Sequence, residues 1–202
     1  MKSVDPIRDK NLLNDIDEYL RTKEVKSKSQ EFIRDRNYLL FLFGVYEGRR
    51  ITDILSIRVG DIQMDKINMI EKKTRKETKL HLHDNVVKAI QRYVKKWNLN
   101  RSDYLFQSRK KDPVTGLHKP LGRQGAYDFL KKDIQKHFGV QTGDIGTHTL
   151  RKTFGYMYYK QTGDVVMLQE LFNHSDQAIT KRYIGITDDE KRDAIKGFDP
   201  FK

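Results

Sequence analysis

Apolar side chains recur at helical spacing over much of the first third of this 202-residue chain. The pattern from Leu12 to Leu20 predicts an amphipathic helix, with Asp9 in position to cap its N-terminus. A charged connection follows, and the next apolar segment extends from Phe32 to Tyr46. Because that segment is apolar almost all round, it is typical of a helix at the centre of a domain.

Between residues 59 and 82 the apolar period falls towards two, which predicts a β-hairpin or a small sheet with a basic turn. A further helix is predicted to begin after Asp84, and another covers the apolar stripe of residues 126–138. The segment that leads from Tyr104 to Pro120 carries Lys, Gly and Pro residues and predicts a long loop. The chain is therefore expected to be mainly helical.

The net charge of the chain indicates a class of binding partner. The chain has 40 Lys and Arg against 28 Asp and Glu, a formal charge of +12 and a pI near 9.7. Such an excess favours a polyanion, with nucleic acid ahead of an anionic membrane surface. No apolar run approaches the ~18 residues of a membrane span, and no segment resembles a signal peptide. With no cysteine in the sequence, disulfides and thiolate zinc sites are excluded.

Candidate chemistry is concentrated between residues 148 and 183. His148 and Arg151 lie three positions apart in HTLR, so they share one face of a helix and can reach one anion. His174 follows in FNHS, and Tyr183 comes nine residues later. A phenol with a pKa near 10 is a poor nucleophile unless nearby donors stabilise the charge that develops on its target. Arginine and histidine are such donors.

This segment resembles the C-terminal signature of the tyrosine recombinases, the phage-integrase family. That signature is H-x-x-R, then L-G-H-S, then a tyrosine about nine residues later. His148, Arg151 and His174 match the polar positions, and Tyr183 matches the nucleophile. Asn173 stands where glycine is usual, and asparagine is the next most tolerant residue for a left-handed turn.

The resemblance extends to an arginine pair further upstream. Gly48 is expected to end one helix, and Thr52 or a neighbour to cap the next. From the residues alone, Arg49 and Arg50 are a solvated surface pair. The family pattern G-L-R-I-x-E instead implies that Arg50 binds the scissile phosphate, with Asp53 in the acidic position.

The basic turn of the predicted hairpin has two interpretations as well. Five of the eight residues from 72 to 79 are basic, which is usually a solvated face. The family carries a catalytic lysine in such a turn, and Lys73 matches it, with Lys72 and Lys76 as rivals. Further DNA contacts are expected from a set of basic residues in and near the matched motifs: Arg49, Lys72, Arg75, Lys76 and Arg182.

Two sets of polar residues have structural interpretations that compete with the functional ones. Tyr156, Tyr158 and Tyr159 are alternatives to Tyr183 as nucleophile, but aromatics so close to the H-x-x-R motif more often pack. His81 and His83 alternate on one strand face and have no third ligand at suitable spacing, so no metal site is expected.

The resemblance implies an α+β, mainly helical catalytic domain with a small antiparallel β-sheet. We expect residues 1–202 to form this single domain, with an N-terminal helix and connection in 1–28 and a tail helix in 184–202. No separate N-terminal core-binding domain is expected, as in the short recombinases that invert fimbrial promoters.

The function implied is site-specific DNA recombination through a covalent 3′-phosphotyrosine, without cofactor or metal. Expected partners are double-stranded DNA and further copies of the chain, as a tetramer whose C-terminal tails dock in trans. A cytoplasmic enzyme of bacterial, phage or mobile-element origin fits these features. The alternatives are a type IB topoisomerase, which shares the chemistry, and a DNA-binding regulator that keeps the scaffold without catalysis.

Overall fold

The structure of the protein is a computed structural model that describes residues 4–70, 77–139, 144–186 and 188–199. The side chains of residues 70, 182, 189 and 193 lie outside that description. The described α-helices are α1 (Lys10–Thr22), α2 (Lys28–Glu47), α3 (Ile51–Ile54), α4 (Asp84–Trp97), α5 (Arg123–Phe129), α6 (Lys136–Phe138), α7 (Thr149–Thr162), α8 (Val165–Phe172), α9 (Gln177–Ile184) and α10 (Asp188–Gly197). A 3-10 helix spans Val59–Asp61, and a π-helix, Leu130–Gln135, joins α5 to α6. The described strands are β1 (Ile62–Gln63), β2 (Lys66–Ile70), β3 (Glu77–His81), β4 (Gln107–Lys111) and β5 (His118–Pro120).

Helix α2 occupies the centre of the domain, as the apolar segment in its C-terminal half predicts. The five consecutive residues Leu39–Phe43 are all buried. Such a run leaves no polar face, so α2 can be covered on every side, and it packs against α1, α3, α4 and α7. The Ser27 hydroxyl caps α2, which therefore begins within the segment predicted as a connection. Asp9 caps α1 as predicted, accepting hydrogen bonds from the backbone of Asn11 and Leu12.

The predicted hairpin region is a three-stranded antiparallel sheet of order β1-β2-β3. Ile67 pairs with Leu80, and both are buried, so the register turns the apolar side of the sheet towards the core. The residues that join β2 to β3, 71–76, lie outside the described residues.

The prediction of a long loop up to Pro120 was wrong. Strands β4 and β5 form an antiparallel hairpin there. The Asp112 carboxylate accepts hydrogen bonds from the backbone N–H groups of Val114 and Thr115, and this organises the turn. Side-chain capping of that kind gives local order to a polar segment whose composition alone predicts a loop.

Helices α7, α8 and α9 pack on one another around a small second apolar cluster. Its buried members are Tyr156, Leu168, Phe172 and Ile184. Helix α7 links this cluster to the main core, because it also packs against α2. Within the described part of the chain, no helix is long and apolar enough to cross a membrane.

We expect the end of α2 to tolerate no side chain at Gly48. Its φ of 58° is left-handed, and an added Cβ would overlap the Phe154 ring. Gly48→Ala should therefore lower the free energy of unfolding by roughly 2–4 kcal/mol, measured by denaturant titration. Gly116 is the matched control, because its φ is 68° and an added Cβ meets nothing within 4 Å. Gly116→Ala should cost only about 1 kcal/mol, and equal losses in both variants would contradict the packing argument.

Candidate active site

Tyr183 lies in the last turn of α9, close to an imidazole from the start of α7. Its hydroxyl oxygen is 3.0 Å from His148 Nδ1. The tyrosine ring also packs edge-on against Phe172 and His174, with centroid distances of 5.4 and 5.5 Å. Helix α9 is held at its N-terminus by the Asp176 carboxylate, which accepts from Ala178 N–H at 2.8 Å. The sequence thus brings the candidate nucleophile and a candidate base within hydrogen-bonding distance.

Arg151 is buried, with 3% of its surface exposed, and its guanidinium joins two helix ends. One terminal nitrogen donates to the Gly48 carbonyl at the end of α2, and the other donates to the Phe172 carbonyl at the end of α8, both at 2.9 Å. The guanidinium lies over the Phe172 ring at 4.2 Å and hydrogen-bonds the Tyr183 side chain. Since carbonyls at helix C-termini carry partial negative charge, they suit a buried cation.

His174 follows a left-handed residue, as the motif predicts. Asn173 has a φ of 50° and ends α8, and the His174 N–H then donates to the Gln169 carbonyl at 3.0 Å. His174 Nδ1 lies 2.9 Å from the hydroxyl of the buried Thr180. Because one ring nitrogen is engaged by Thr180, the orientation of the imidazole towards Tyr183 is fixed.

Arg50 precedes α3 as its N-cap residue and makes no side-chain capping hydrogen bond, while Thr52, the residue predicted with its neighbours to cap α3, lies inside that helix. One terminal nitrogen of Arg50 is 4.0 Å from the carboxylate of Asp53, which is buried. The Arg50 side chain is largely covered, and its positive charge affects the pKa values of both His148 and Tyr183. Arg50 therefore belongs electrostatically to the same site.

The pKa shifts of the two facing groups have opposite signs and a shared cause. Partial burial of the His148 ring, together with the charges of Arg151, Arg123, Arg50 and Lys152, lowers its pKa from 6.5, although the residue keeps an exposed edge. Burial raises the pKa of Tyr183 above 10, and the two arginines oppose that effect. Both groups are consequently neutral at pH 7. The phenol carries a proton, and one nitrogen of the imidazole is unprotonated and can accept it.

Most, but not all, of the sequence-predicted residues can be located. His148, Arg151 and His174 each lie next to Tyr183, and the charge of Arg50 acts on both His148 and Tyr183. Arg49 adjoins Arg50 and is partly buried. The remaining predicted residues, namely Lys72, Lys73, Arg75, Lys76 and the side chain of Arg182, lie outside the described part of the chain.

The competing tyrosines have other partners. The Tyr156 hydroxyl donates to the Glu190 carboxylate at 2.7 Å, and Tyr158 and Tyr159 pack against the second apolar cluster. His83 caps α4, since its Nδ1 accepts from Asn85 N–H at 3.1 Å. In the residues that the structure describes, no group of three or more His, Cys, Asp or Glu side chains is placed to hold a metal ion.

Three residues near the site were not singled out from the sequence. Lys152 Nζ lies 5.5 Å from the centre of the Tyr183 ring, Thr180 holds His174, and the charge of Arg123 contributes to the lowered pKa of His148. Lys152 directly follows Arg151, and Thr180 lies three positions before Tyr183 on the same helix. Only those spacings could have indicated the first two. For Arg123 the sequence holds no such signal, because a tertiary contact brings it to the site.

Known sequences match this chain over most of its length. The sequence model described as "Phage integrase family" matches residues 13–190. The probable integrase/recombinase YoeC of Bacillus subtilis is 37% identical over 199 residues, which cover 98% of each chain. Tyrosine recombinase XerC of Caldanaerobacter subterraneus is 25% identical over 166 residues, 80% of this chain. The chain thus spans nearly the whole of the first relative and 44% of the second.

Solved structures share the fold. The crystal structure of XerA recombinase aligns with a TM-score of 0.72 at 19% identity, over 97% of this chain and 66% of that one. XerH recombinase in a post-cleavage complex with palindromic difH substrate aligns with a TM-score of 0.73, also at 19% identity, over 98% of this chain and 54% of that one.

A buried carboxyl next to the arginine pair makes stability depend on pH. Burial raises the pKa of Glu47 from 4.5 to about 7, although the His83 N–H donates to this group and Arg49 is nearby. The protonated form is favoured in the folded state, so the contribution of Glu47 to stability is complete below pH 4.5 and is lost as pH rises through 7.

Glu47→Gln should remove that loss, because the amide is neutral and its oxygen can still accept from His83. At pH 8 the variant should be more stable than the wild type by about 1–3 kcal/mol, and the gap should close as pH approaches 4.5. Urea titrations of both proteins at several pH values would measure this difference in the free energy of unfolding. A constant gap would mean that folding leaves the pKa of Glu47 unshifted, and a gap that widens towards acid pH would mean that folding lowers this pKa.

Proposed function

The chain belongs to the phage integrase family and is a tyrosine-type site-specific DNA recombinase, and we propose that it breaks and rejoins DNA through a 3′-phosphotyrosine formed by Tyr183. The phenolic oxygen attacks the scissile phosphorus, the bond from phosphorus to the 5′-oxygen breaks, and the 5′-oxygen leaves as a hydroxyl. A 5′-hydroxyl from another duplex then reverses these steps. Because the phosphotyrosine retains the energy of the phosphodiester, no nucleotide is consumed.

The observation that carries this proposal is the 3.0 Å approach of His148 Nδ1 to the Tyr183 hydroxyl. A base must be within hydrogen-bonding distance of the proton that it removes and must itself be unprotonated. The lowered pKa of His148 meets the second condition at neutral pH. With its own proton on Nε2, the imidazole accepts the phenolic proton on Nδ1 as the oxygen attacks.

Arg50, Arg151 and His174 are the proposed holders of the non-bridging phosphate oxygens. The bonds of Arg151 to the Gly48 and Phe172 carbonyls fix its guanidinium beside Tyr183. Donors that are fixed in advance around a reacting phosphorus stabilise the added charge of the transition state without reorganising. The proposed acid for the leaving 5′-oxygen is Lys73, on the strength of its motif alone.

Recombination is favoured over the type IB topoisomerase alternative by the relatives, which are named integrases or recombinases. XerH was solved on its difH DNA, and a lambda integrase dimer was solved on a core site. The partner of this chain is double-stranded DNA, in keeping with its charge of +12. We place the protein in the cytoplasm, where a bacterial or mobile-element recombinase meets its substrate.

The proposed assembly is a tetramer on DNA in which each C-terminal tail docks on a neighbouring copy. Helix α10 begins against its own chain, where Glu190 bonds Tyr156 and Lys160. Further along the tail, Ile195 and Phe198 are 77% and 74% exposed. Large apolar side chains displayed together at the end of a charged helix fit a contact with another protein surface.

Tyr183→Phe should bind DNA with unchanged affinity and form no covalent adduct, because the ring still packs but no oxygen can attack. The measurement uses a suicide substrate, nicked near the cleavage site, and a denaturing gel. Tyr158→Phe and Tyr159→Phe are the controls and should form adduct at the wild-type rate. An adduct that persists in Tyr183→Phe would assign the nucleophile elsewhere.

Lys73→Ala should slow cleavage by roughly 10²–10⁴-fold, because the 5′-alkoxide is a poor leaving group without an acid. If sulfur replaces the bridging 5′-oxygen, the leaving thiolate has a pKa near 8.5 and departs unprotonated. The variant should then cleave at nearly the wild-type rate. Arg50→Ala should stay slow on both substrates, since its proposed contacts are with the non-bridging oxygens. Rescue of Lys72→Ala or Lys76→Ala in place of Lys73→Ala would identify a different lysine as the acid.

A further inference from the structure

The segment before α1, Val4–Arg8, contacts the surroundings of Tyr183 at two separate points. The Arg8 guanidinium donates to the carbonyl of Gly185 at 2.8 Å. Gly185 ends α9 and lies two positions after the tyrosine. Lys152, whose ammonium lies over the Tyr183 ring, donates to the Val4 carbonyl at 2.8 Å. The N-terminal segment is therefore linked both to the helix that carries Tyr183 and to a cation on its ring.

The same segment is firmly seated on α7. Ile7 is 1% exposed, and its N–H donates to the buried Thr153 hydroxyl at 2.9 Å. The Arg8 guanidinium also lies 5.5 Å from the centre of the Tyr156 ring, which belongs to α7. Arg8 thus links the C-terminal end of α9 to helix α7 and to the N-terminal segment that packs on α7.

Helix α9 needs such a support, because it is short and its packing is limited. It has eight residues, whereas isolated helices below about 12–15 residues are marginal in water. Of its side chains, Thr180 and Ile184 are fully buried, and Ile184 belongs to the small second cluster and not to the main core. A cation at its C-terminus satisfies a terminal carbonyl and opposes the negative end of the helix dipole.

We propose that Arg8 is a positioning residue for the nucleophile, holding the C-terminal end of α9 so that Tyr183 stays beside His148. This inference rests on the proposed role of Tyr183. In this role Arg8 does not touch the reacting atoms. It sets the fraction of molecules in which the phenol is already in place when DNA binds, and so it governs the cleavage step more than the affinity for DNA.

Arg58 offers a matched control, because it makes the same two kinds of contact in another part of the fold. Its guanidinium donates to the Ser102 carbonyl and lies 4.0 Å from the centre of the Tyr104 ring. Arg58→Ala removes one arginine, one bond to a backbone carbonyl and one cation–π contact, as Arg8→Ala does, and it also removes a hydrogen bond to the Tyr104 hydroxyl. A general effect of charge or stability should appear in both variants.

The test has two readouts, taken on Arg8→Ala, Arg8→Lys and Arg58→Ala. The first is hydrogen exchange of the α9 amides in the DNA-free protein, with α4 as internal reference. Loss of a charge-assisted bond should raise α9 exchange roughly tenfold in Arg8→Ala and leave α4 unchanged. The second is the first-order rate of adduct formation at saturating nicked DNA, which should fall several-fold at unchanged DNA affinity. Arg8→Lys should recover part of both effects, and Arg58→Ala should show neither.

The proposal is overturned if α9 exchange is unchanged in Arg8→Ala, if faster exchange leaves the adduct rate unaltered, or if Arg58→Ala slows cleavage as much as Arg8→Ala. Failure of the proposed function has a different signature. In that case the wild-type protein forms no adduct, while the exchange measurement on the DNA-free protein still reports whether Arg8 holds α9.

Discussion

The site depends on one buried guanidinium. Arg151 donates to the last carbonyls of α2 and α8 from a position on α7, so a single planar group sets the relative placement of three helices. Burying a cation is costly unless its N–H groups are satisfied, and helix C-terminal carbonyls satisfy them without introducing a neutralising carboxylate. The turn after α2 carries Arg50, and the turn after α8 carries His174. Fixing these two turns therefore fixes the other proposed phosphate ligands as well.

Burial is the main reason that both His148 and Tyr183 are neutral, and the surplus of positive charge lowers the pKa of each. Each of the cations near His148 makes its protonation less favourable, while burial keeps the Tyr183 phenol protonated. Arg50 and Arg151 lower the cost of ionising the phenol, so the same side chains that attract a phosphate also favour the attacking oxyanion. These residues create a positive electrostatic potential that attracts an anion such as a DNA phosphate. The net charge of +12 has the same sign, so the molecule as a whole attracts DNA too.

The sequence predicts well what depends on local pattern. The central position of α2, the antiparallel pairing of β2 with β3, the Asp9 cap and the left-handed Asn173 all follow from apolar patterning or from conformational preference. The motif spacing also identifies Tyr183 and the three side chains that lie next to it, His148, Arg151 and His174. Prediction fails where tertiary or side-chain-to-backbone contacts decide the outcome. The β4–β5 hairpin is ordered by the Asp112 carboxylate, and no periodicity reveals that Arg151 binds two carbonyls or that Arg8 reaches a residue 177 positions away.

The turn that bears Arg50 and the helix that bears Tyr183 also differ in the amount of apolar core on which they pack. The turn that bears Arg50 continues from α2, in the main core, whereas Tyr183 stands on a short helix that packs on the small second cluster. Local stability follows the amount of buried apolar contact, so α9 is expected to open before α2 does. That division suits the proposed mechanism, in which Tyr183 becomes covalently attached to a DNA end. The phosphate ligands must keep their geometry through both cleavage and rejoining, while the helix that carries the attached strand has to accommodate the exchange of one 5′-end for another.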